Sequence, residues 1–230
     1  GQRKEGKHMT KQQIASMIDN PLLKATATPE QIRELCATAR EQGTASVSVN
    51  PCYVALAAEE LKGSPVKVCT VIGFPLGAMS TAAKAFEAAE AIRDGADEID
   101  MVIHIGQLKA GNTDYVLEDI KAVKAAIGDH ILKVIIETCL LTEEEKIALC
   151  GCVTRAGADF IKTSTGFSTG GATREDVALF ARHIGSGVKI KAAGGVSSME
   201  DLEMFLELGC DRIGTSRAVG LCKGELTEGY

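Results

Sequence analysis

Two lysines stand where a lysine is costly. Lys162 lies in Asp159-Phe-Ile-Lys-Thr-Ser-Thr-Gly166 and Lys191 in Val188-Lys-Ile-Lys-Ala-Ala-Gly-Gly195, each near the end of a short apolar run that breaks into small residues. Runs of this kind read as buried parallel strands, where an unpaired ammonium is destabilising or gives up its proton. Two such lysines point to amine chemistry, with one neutral and nucleophilic and the other a cation that keeps it so. Asp100, inside Glu98-Ile-Asp-Met-Val, is the acid placed to work with them.

The elements that must hold these groups are legible from a small internal repeat. Gly95-Ala-Asp-Glu-Ile, Gly157-Ala-Asp-Phe-Ile and Gly209-Cys-Asp-Arg-Ile share a pattern in which glycine ends a helix and a strand starts within two residues. Thr28-Pro-Glu-Gln31 is a capping box with proline at the first helical position, and Thr142 and Ser198 open similar first turns. Val116, Ile120, Val123 and Ile127 form one amphipathic stripe; Val177, Phe180, Ala181 and Ile184 form another. Between the helices lie seven apolar runs: 45–49, 66–72, 98–103, 131–136, 159–163, 188–192 and 211–214. Segment 17–23 supplies a short eighth, although Pro21 counts against it. The expectation is a single-domain (β/α)8 TIM barrel with a short first strand and an extra N-terminal helix. A doubly wound open sheet is the structural alternative.

Length and composition agree with one domain. The chain has 230 residues and a net charge of −6. Residues 1–8 read as an expression-tag remnant; its three basic residues and one acid leave the 9–230 domain at −8. Residues 224–230 read as a mobile tail. An acidic chain without Trp or a basic stripe is a poor nucleic-acid binder. No apolar stretch is long enough for a membrane span. The eight cysteines form no CxxC pair and read as reduced core residues, which implies a cytoplasmic protein and no metal site.

In such a barrel the reacting groups sit at the C-terminal ends of the strands. Asp19, Ser48, Asp100, Glu137, Lys162 and Lys191 all fall there. Lys189, one pleat behind Lys191, is expected to point deeper and to serve a structural ion pair. A separate signal concerns phosphate. Gly194-Gly195 follows the seventh strand and Gly214-Thr-Ser216-Arg217 the eighth, each ahead of a helix. Those are the loops where barrels bind phosphate through backbone N–H groups, and Arg217 adds a charge. The residues together read as lysine-imine chemistry on a phosphorylated sugar or aldehyde.

These motifs, with Gly73-Phe-Pro-Leu-Gly77, resemble those of the deoxyribose-phosphate aldolase family from about residue 14 to Tyr230. The resemblance implies a metal-free, cofactor-free class I aldolase. Such an enzyme interconverts 2-deoxy-D-ribose 5-phosphate with acetaldehyde and D-glyceraldehyde 3-phosphate. It implies Lys162 as the Schiff-base lysine, Lys191 as the second lysine of the proton relay and Asp100 as the acid working with Lys191 and a water. Thr165, Gly166, Gly194, Gly195 and Ser216 match phosphate-contact positions, and Tyr230 matches the family's C-terminal tyrosine. Small-molecule substrates and a homodimer or other homo-oligomer are the expected partners.

Four positions depart from the family pattern. Ser48 stands where cysteine is common, Asn20-Pro21 replaces His-Thr, and Arg217 replaces a frequent serine. None removes an imine or relay group. The alternative function is another sugar-phosphate barrel, an isomerase or a transaldolase-like enzyme, which would not need lysines on neighbouring strands.

Overall fold

The computed structural model describes residues 9–217 and Gly220. Eight parallel strands close into a barrel in chain order. They are β1 (Ile18–Leu22), β2 (Ser46–Val49), β3 (Lys67–Ile72), β4 (Glu98–Val102), β5 (Ile131–Ile135), β6 (Phe160–Lys162), β7 (Lys189–Ala193) and β8 (Arg212–Gly214). Helices Pro29–Gln42, Val54–Glu60, Thr81–Asp94, Thr113–Ile127, Glu143–Arg155, Arg174–His183 and Met199–Glu207 follow β1 to β7 in turn. A short helix, Lys11–Ala15, precedes β1 with its own Thr10–Gln13 capping box. The expected barrel and N-terminal helix are present, but the first strand is not short: at five residues β1 matches β4, β5 and β7 and exceeds β2, β6 and β8.

The local signals act as the sequence implies. Thr28 accepts from the Gln31 N–H and the Gln31 side chain returns to the Thr28 N–H; Thr142 and Glu145 do the same. Gly95, Gly157 and Gly209 have φ of 113°, 74° and 108°, so the repeat marks three left-handed turns between helix and strand. The stripe Val116, Ile120, Val123 and Ile127 is buried throughout. The other stripe differs: Val177 and Phe180 are buried with Leu179, whereas Ala181 is exposed and Ile184 caps the helix.

Pro21 lies inside β1 despite lacking an N–H. β1 pairs with β8 only through Ile18 and Asp19, but with β2 as far as Leu22. By Pro21 the strand has left one neighbour, so one side is an edge, where proline is tolerated.

Two layers separate cleanly by alternation along the strands. Ile99, Met101, Leu132, Val134, Ile161 and Ile190 belong to the apolar cluster shared with the helices. The intervening residues Glu98, Asp100, Lys133, Lys162 and Lys191 turn inward, are 4 % exposed or less, and fill the barrel with charge rather than hydrocarbon.

Candidate active site

β6 and β7 pair with Lys162 and Lys191 as direct partners, and β4 and β5 pair with Asp100 opposite Lys133. Parallel register therefore sets four ionisable side chains facing one another inside the barrel. Lys162 Nζ donates to Asp100 Oδ2 at 3.0 Å and Lys191 Nζ donates to the same oxygen at 2.9 Å. Lys191 also lies 2.8 Å from Asp19 Oδ2. Asp100 Oδ1 accepts from Lys133 at 3.0 Å and sits 3.3 Å from the Cys69 thiol.

The electrostatics follow from this arrangement. Burial opposes ionisation of Asp100, but Lys133, Lys191 and Lys162 reverse that and hold its carboxyl well below the usual range. Burial alone would lower Lys191, yet Asp100 and Asp19 raise it above an ordinary lysine. Lys162 goes the other way. Burial first, then the Lys191 charge, lower it, and its single carboxylate contact does not restore it. The two neighbouring lysines are thus driven apart, one toward a fixed cation and one toward a free amine.

Beneath them lies a group that the sequence reading did not single out. Lys133 donates to Glu98 Oε1 at 2.7 Å. Arg212 donates to both Glu98 oxygens at 2.9 Å and to Asp19 Oδ1 at 2.7 Å. Ser46 Oγ donates to that same Asp19 oxygen at 2.6 Å. The expected structural ion pair therefore belongs to Lys133 and Arg212. Lys189 does lie deeper than Lys191, but it is exposed at the barrel's base, its ammonium 5.9 Å from the Phe160 ring centroid rather than against a carboxylate. One charged residue between apolar neighbours, as in Leu132-Lys-Val134, was the signal available for Lys133.

Above the lysines opens a cavity of about 540 Å³. Asp19, Ser48, Lys162 and Lys191 line its floor side, and Thr165, Gly166, Gly194, Gly195, Ser216 and Arg217 line it as well. Asp100 does not line the cavity and touches the two lysines from behind. Gly194 and Gly195 both have positive φ, and a Cβ on Gly195 would stand 2.8 Å from the Ala172 carbonyl oxygen. The loops after β6 and β7 are pressed backbone to backbone, with Ala172 N–H donating to the Ala193 carbonyl at 3.0 Å. Such a loop leaves N–H groups bare of side chains, as anion binding requires. Ser198 caps the helix behind it. One Arg217 guanidinium nitrogen and the Ser48 hydroxyl are buried with no hydrogen-bond partner among the described residues.

Glu137 holds the loop rather than facing the lysines. Its carboxylate accepts from the Thr165 N–H at 3.0 Å and from the Thr165 hydroxyl at 2.6 Å. Its own backbone is left-handed, φ 58°, a strained setting for a residue other than glycine. Tyr230, the 1–8 segment and the 224–230 tail fall outside the described residues. Among the described residues no group of three or more His, Cys, Asp or Glu side chains is arranged to hold a metal ion, and no helix is long and apolar enough to cross a membrane.

Comparison with known proteins gives a consistent result. A family model described as DeoC/LacD family aldolase matches residues 2–224. A deoxyribose-phosphate aldolase from Clostridium botulinum strain Alaska E43 is 56 % identical over 222 residues, 96 % of this chain and 100 % of that protein. One from Streptococcus suis is 58 % identical over 212 residues, 92 % of this chain and 96 % of the relative. Among solved structures, a deoxyribose-phosphate aldolase from Aeropyrum pernix, described as tetrameric, superposes with a TM-score of 0.85 at 32 % identity. That match covers 94 % of this chain and 92 % of the other.

Proposed function

The chain belongs to the DeoC/LacD family of aldolases, and from that premise we propose that it cleaves 2-deoxy-D-ribose 5-phosphate reversibly through an imine on Lys162. It is an aldolase, a carbon–carbon lyase of the deoxyribose-phosphate type. The observation that carries the assignment of roles is the shared oxygen, with Lys162 and Lys191 both within 3.0 Å of Asp100 Oδ2 below the cavity.

In this reading the neutral Lys162 amine attacks the C1 aldehyde, and loss of water gives a protonated imine. That cation is an electron sink. The C3 hydroxyl loses its proton to a water held by Lys191, which Asp100 orients from behind, the C2–C3 bond breaks, and its electrons form the enamine. D-Glyceraldehyde 3-phosphate leaves. The relay returns the proton to C2, and water hydrolyses the imine to acetaldehyde and free Lys162. Lys191, held as a cation, supplies protons, while Asp100, held as a carboxylate, fixes both nitrogens.

Phosphate is assigned to the Gly194–Gly195 and Ser216–Arg217 loops, supported by the bare N–H groups and the unpartnered Arg217 nitrogen. Thr165 and Gly166 complete that wall, and Asp19 orients Lys191 from beneath. Ser48, buried and unpartnered beside the cavity, is assigned to a substrate hydroxyl. Tyr230 is assigned to the proton step on the family resemblance alone. A homo-oligomer in the cytoplasm is proposed as well; exposed Leu76, Phe86 and Phe167 and the free state of all seven cysteines among the described residues are consistent with both. The test is substrate cleavage. Release of acetaldehyde from 2-deoxy-D-ribose 5-phosphate, outpacing release from the unphosphorylated sugar, is expected; no release from either contradicts the assignment.

A further inference from the structure

The charges inside the barrel do not balance. β1 contributes Asp19, β4 contributes Glu98 and Asp100, and burial raises all three before the neighbouring cations pull them back down into the ionised form. Against these three carboxylates stand four bases: Lys133 from β5, Lys162 from β6, Lys191 from β7 and Arg212 from β8. β2 offers only the hydroxyls of Ser46 and Ser48. β3 offers Cys69, whose thiol burial pushes up to about 12, so it stays neutral. Lys189 lies at the base in solvent and Glu137 is engaged with Thr165. Three cations neutralise the layer, and the fourth proton is surplus.

Contacts decide which base does without. Arg212 makes three hydrogen bonds to two carboxylates. Lys133 has Glu98 at 2.7 Å, Asp100 at 3.0 Å and Asp19 at 3.6 Å. Lys191 has Asp19 at 2.8 Å and Asp100 at 2.9 Å. Lys162 has one contact, 3.0 Å, to an oxygen that Lys191 already occupies. A lone neighbouring cation is therefore an incomplete account of a free Lys162 amine, because Asp100 and Asp19 between them already neutralise Lys191.

Resting on the imine reading above, we infer that Arg212 and Glu98 are positioning residues for the nucleophile. They close the charge count of the barrel interior from its floor, so that the proton left out is the one on Lys162. Neither reaches the cavity. Arg212 acts by occupying Asp19 Oδ1 and both Glu98 oxygens, which confines Lys191 to Asp19 Oδ2 and Asp100. Without Arg212 the layer is one positive charge short and Lys162 takes the proton. Without the Glu98 charge the layer has one cation to spare and Lys162 sheds its proton more readily.

The two changes thus have opposite signs, which a merely structural role does not produce. The experiment is the pH dependence of kcat/KM for deoxyribose-phosphate cleavage in the parent, Arg212→Met, Glu98→Gln and the double variant. Borohydride trapping of acetaldehyde, mapped to peptides, accompanies each profile. Arg212→Met is expected to move the acid limb upward by about one pH unit or more, with activity regained at alkaline pH, and Glu98→Gln to move it downward. The double variant, neutral again, is expected to return toward the parent.

An unmoved acid limb in both single variants, or shifts of the same sign, overturns the inference. Where Arg212→Met does not fold by circular dichroism, Glu98→Gln alone decides through the direction of its shift. Failure of the underlying imine reading looks different, since the parent then traps no adduct on Lys162 at any pH.

Discussion

Lys162 and Lys191 are register partners across the β6–β7 ladder, and their two nitrogens converge on one oxygen of Asp100. Parallel pairing sets partner side chains side by side, so a single hydrogen-bond register fixes the proposed nucleophile and the proposed cation together. The consequence is that the three residues act as a unit, and removing any one changes the charge felt by the others.

Lys162→Ala is expected to abolish cleavage, because no other amine stands at the cavity with its proton withheld. Lys191→Leu keeps a nucleophile but loses the fixed cation and proton donor, and turnover should fall by ~10²–10⁴-fold. A coupled assay of acetaldehyde release, with thermal unfolding to confirm the fold, checks both. Full activity in either variant contradicts the roles.

Asp100→Asn should be costly twice. The relay loses its carboxylate, and Lys133, Lys162 and Lys191 are left around a neutral amide. Breaking a buried pair in this way typically costs ~3–5 kcal/mol. Part of the loss should be relieved by deprotonation of Lys162, so the variant is expected to gain stability with rising pH more steeply than the parent. Chemical denaturation at several pH values reads this out.

Acid should unfold the protein by way of the same layer. Asp19, Glu98 and Asp100 all lie below their ordinary values of 3.8, 4.5 and 3.8 in the folded state. A group with a depressed folded pKa stabilises above its unfolded pKa and loses that contribution as pH falls toward its folded value. Stability should therefore be level in this respect at neutral pH and decline steeply below about pH 4.5. Lys162 has the same sign in a higher pH window. Its lowered folded value means that the unfolded chain binds the extra proton, so its contribution to stability rises as pH climbs toward the ordinary 10.5.

Gly195→Ala tests the phosphate loop. At φ +70° and with a Cβ 2.8 Å from the Ala172 oxygen, the backbone must shift, at a strain of ~1–3 kcal/mol. The expected result is a KM for the phosphorylated sugar raised about tenfold with kcat little changed, the signature of lost uniform binding. Arg217→Ala should do the same for the phosphorylated sugar while leaving unphosphorylated deoxyribose unaffected. An equal effect on both sugars contradicts phosphate contact.

The fold was legible because its signals are local. Capping boxes at Thr28 and Thr142 and the repeated Gly-small-Asp-x-Ile turn each fix a boundary by themselves, and eight strands then follow. Lys162, Lys191 and Asp100 were legible because their types are out of place in apolar runs. Lys133, Glu98 and Arg212 were not, for a physical reason. Alternation tells which residues of one strand share a face, but the depth at which residues of different strands meet depends on the stagger of all eight. Lys189 shares a face with Lys191 and was given an ion pair on that ground; the stagger puts Lys133 and Arg212 at the carboxylates instead. Glu137 shows the same limit, since its partner, Thr165, lies in a loop whose path no pattern describes.

Borohydride trapping with acetaldehyde, followed by peptide mass mapping, tests the central assignment most directly. The account predicts an ethyl adduct on Lys162, dependent on reductant and absent from Lys191 and Lys133. An adduct chiefly on Lys191, or none on any lysine of the folded protein, would contradict it.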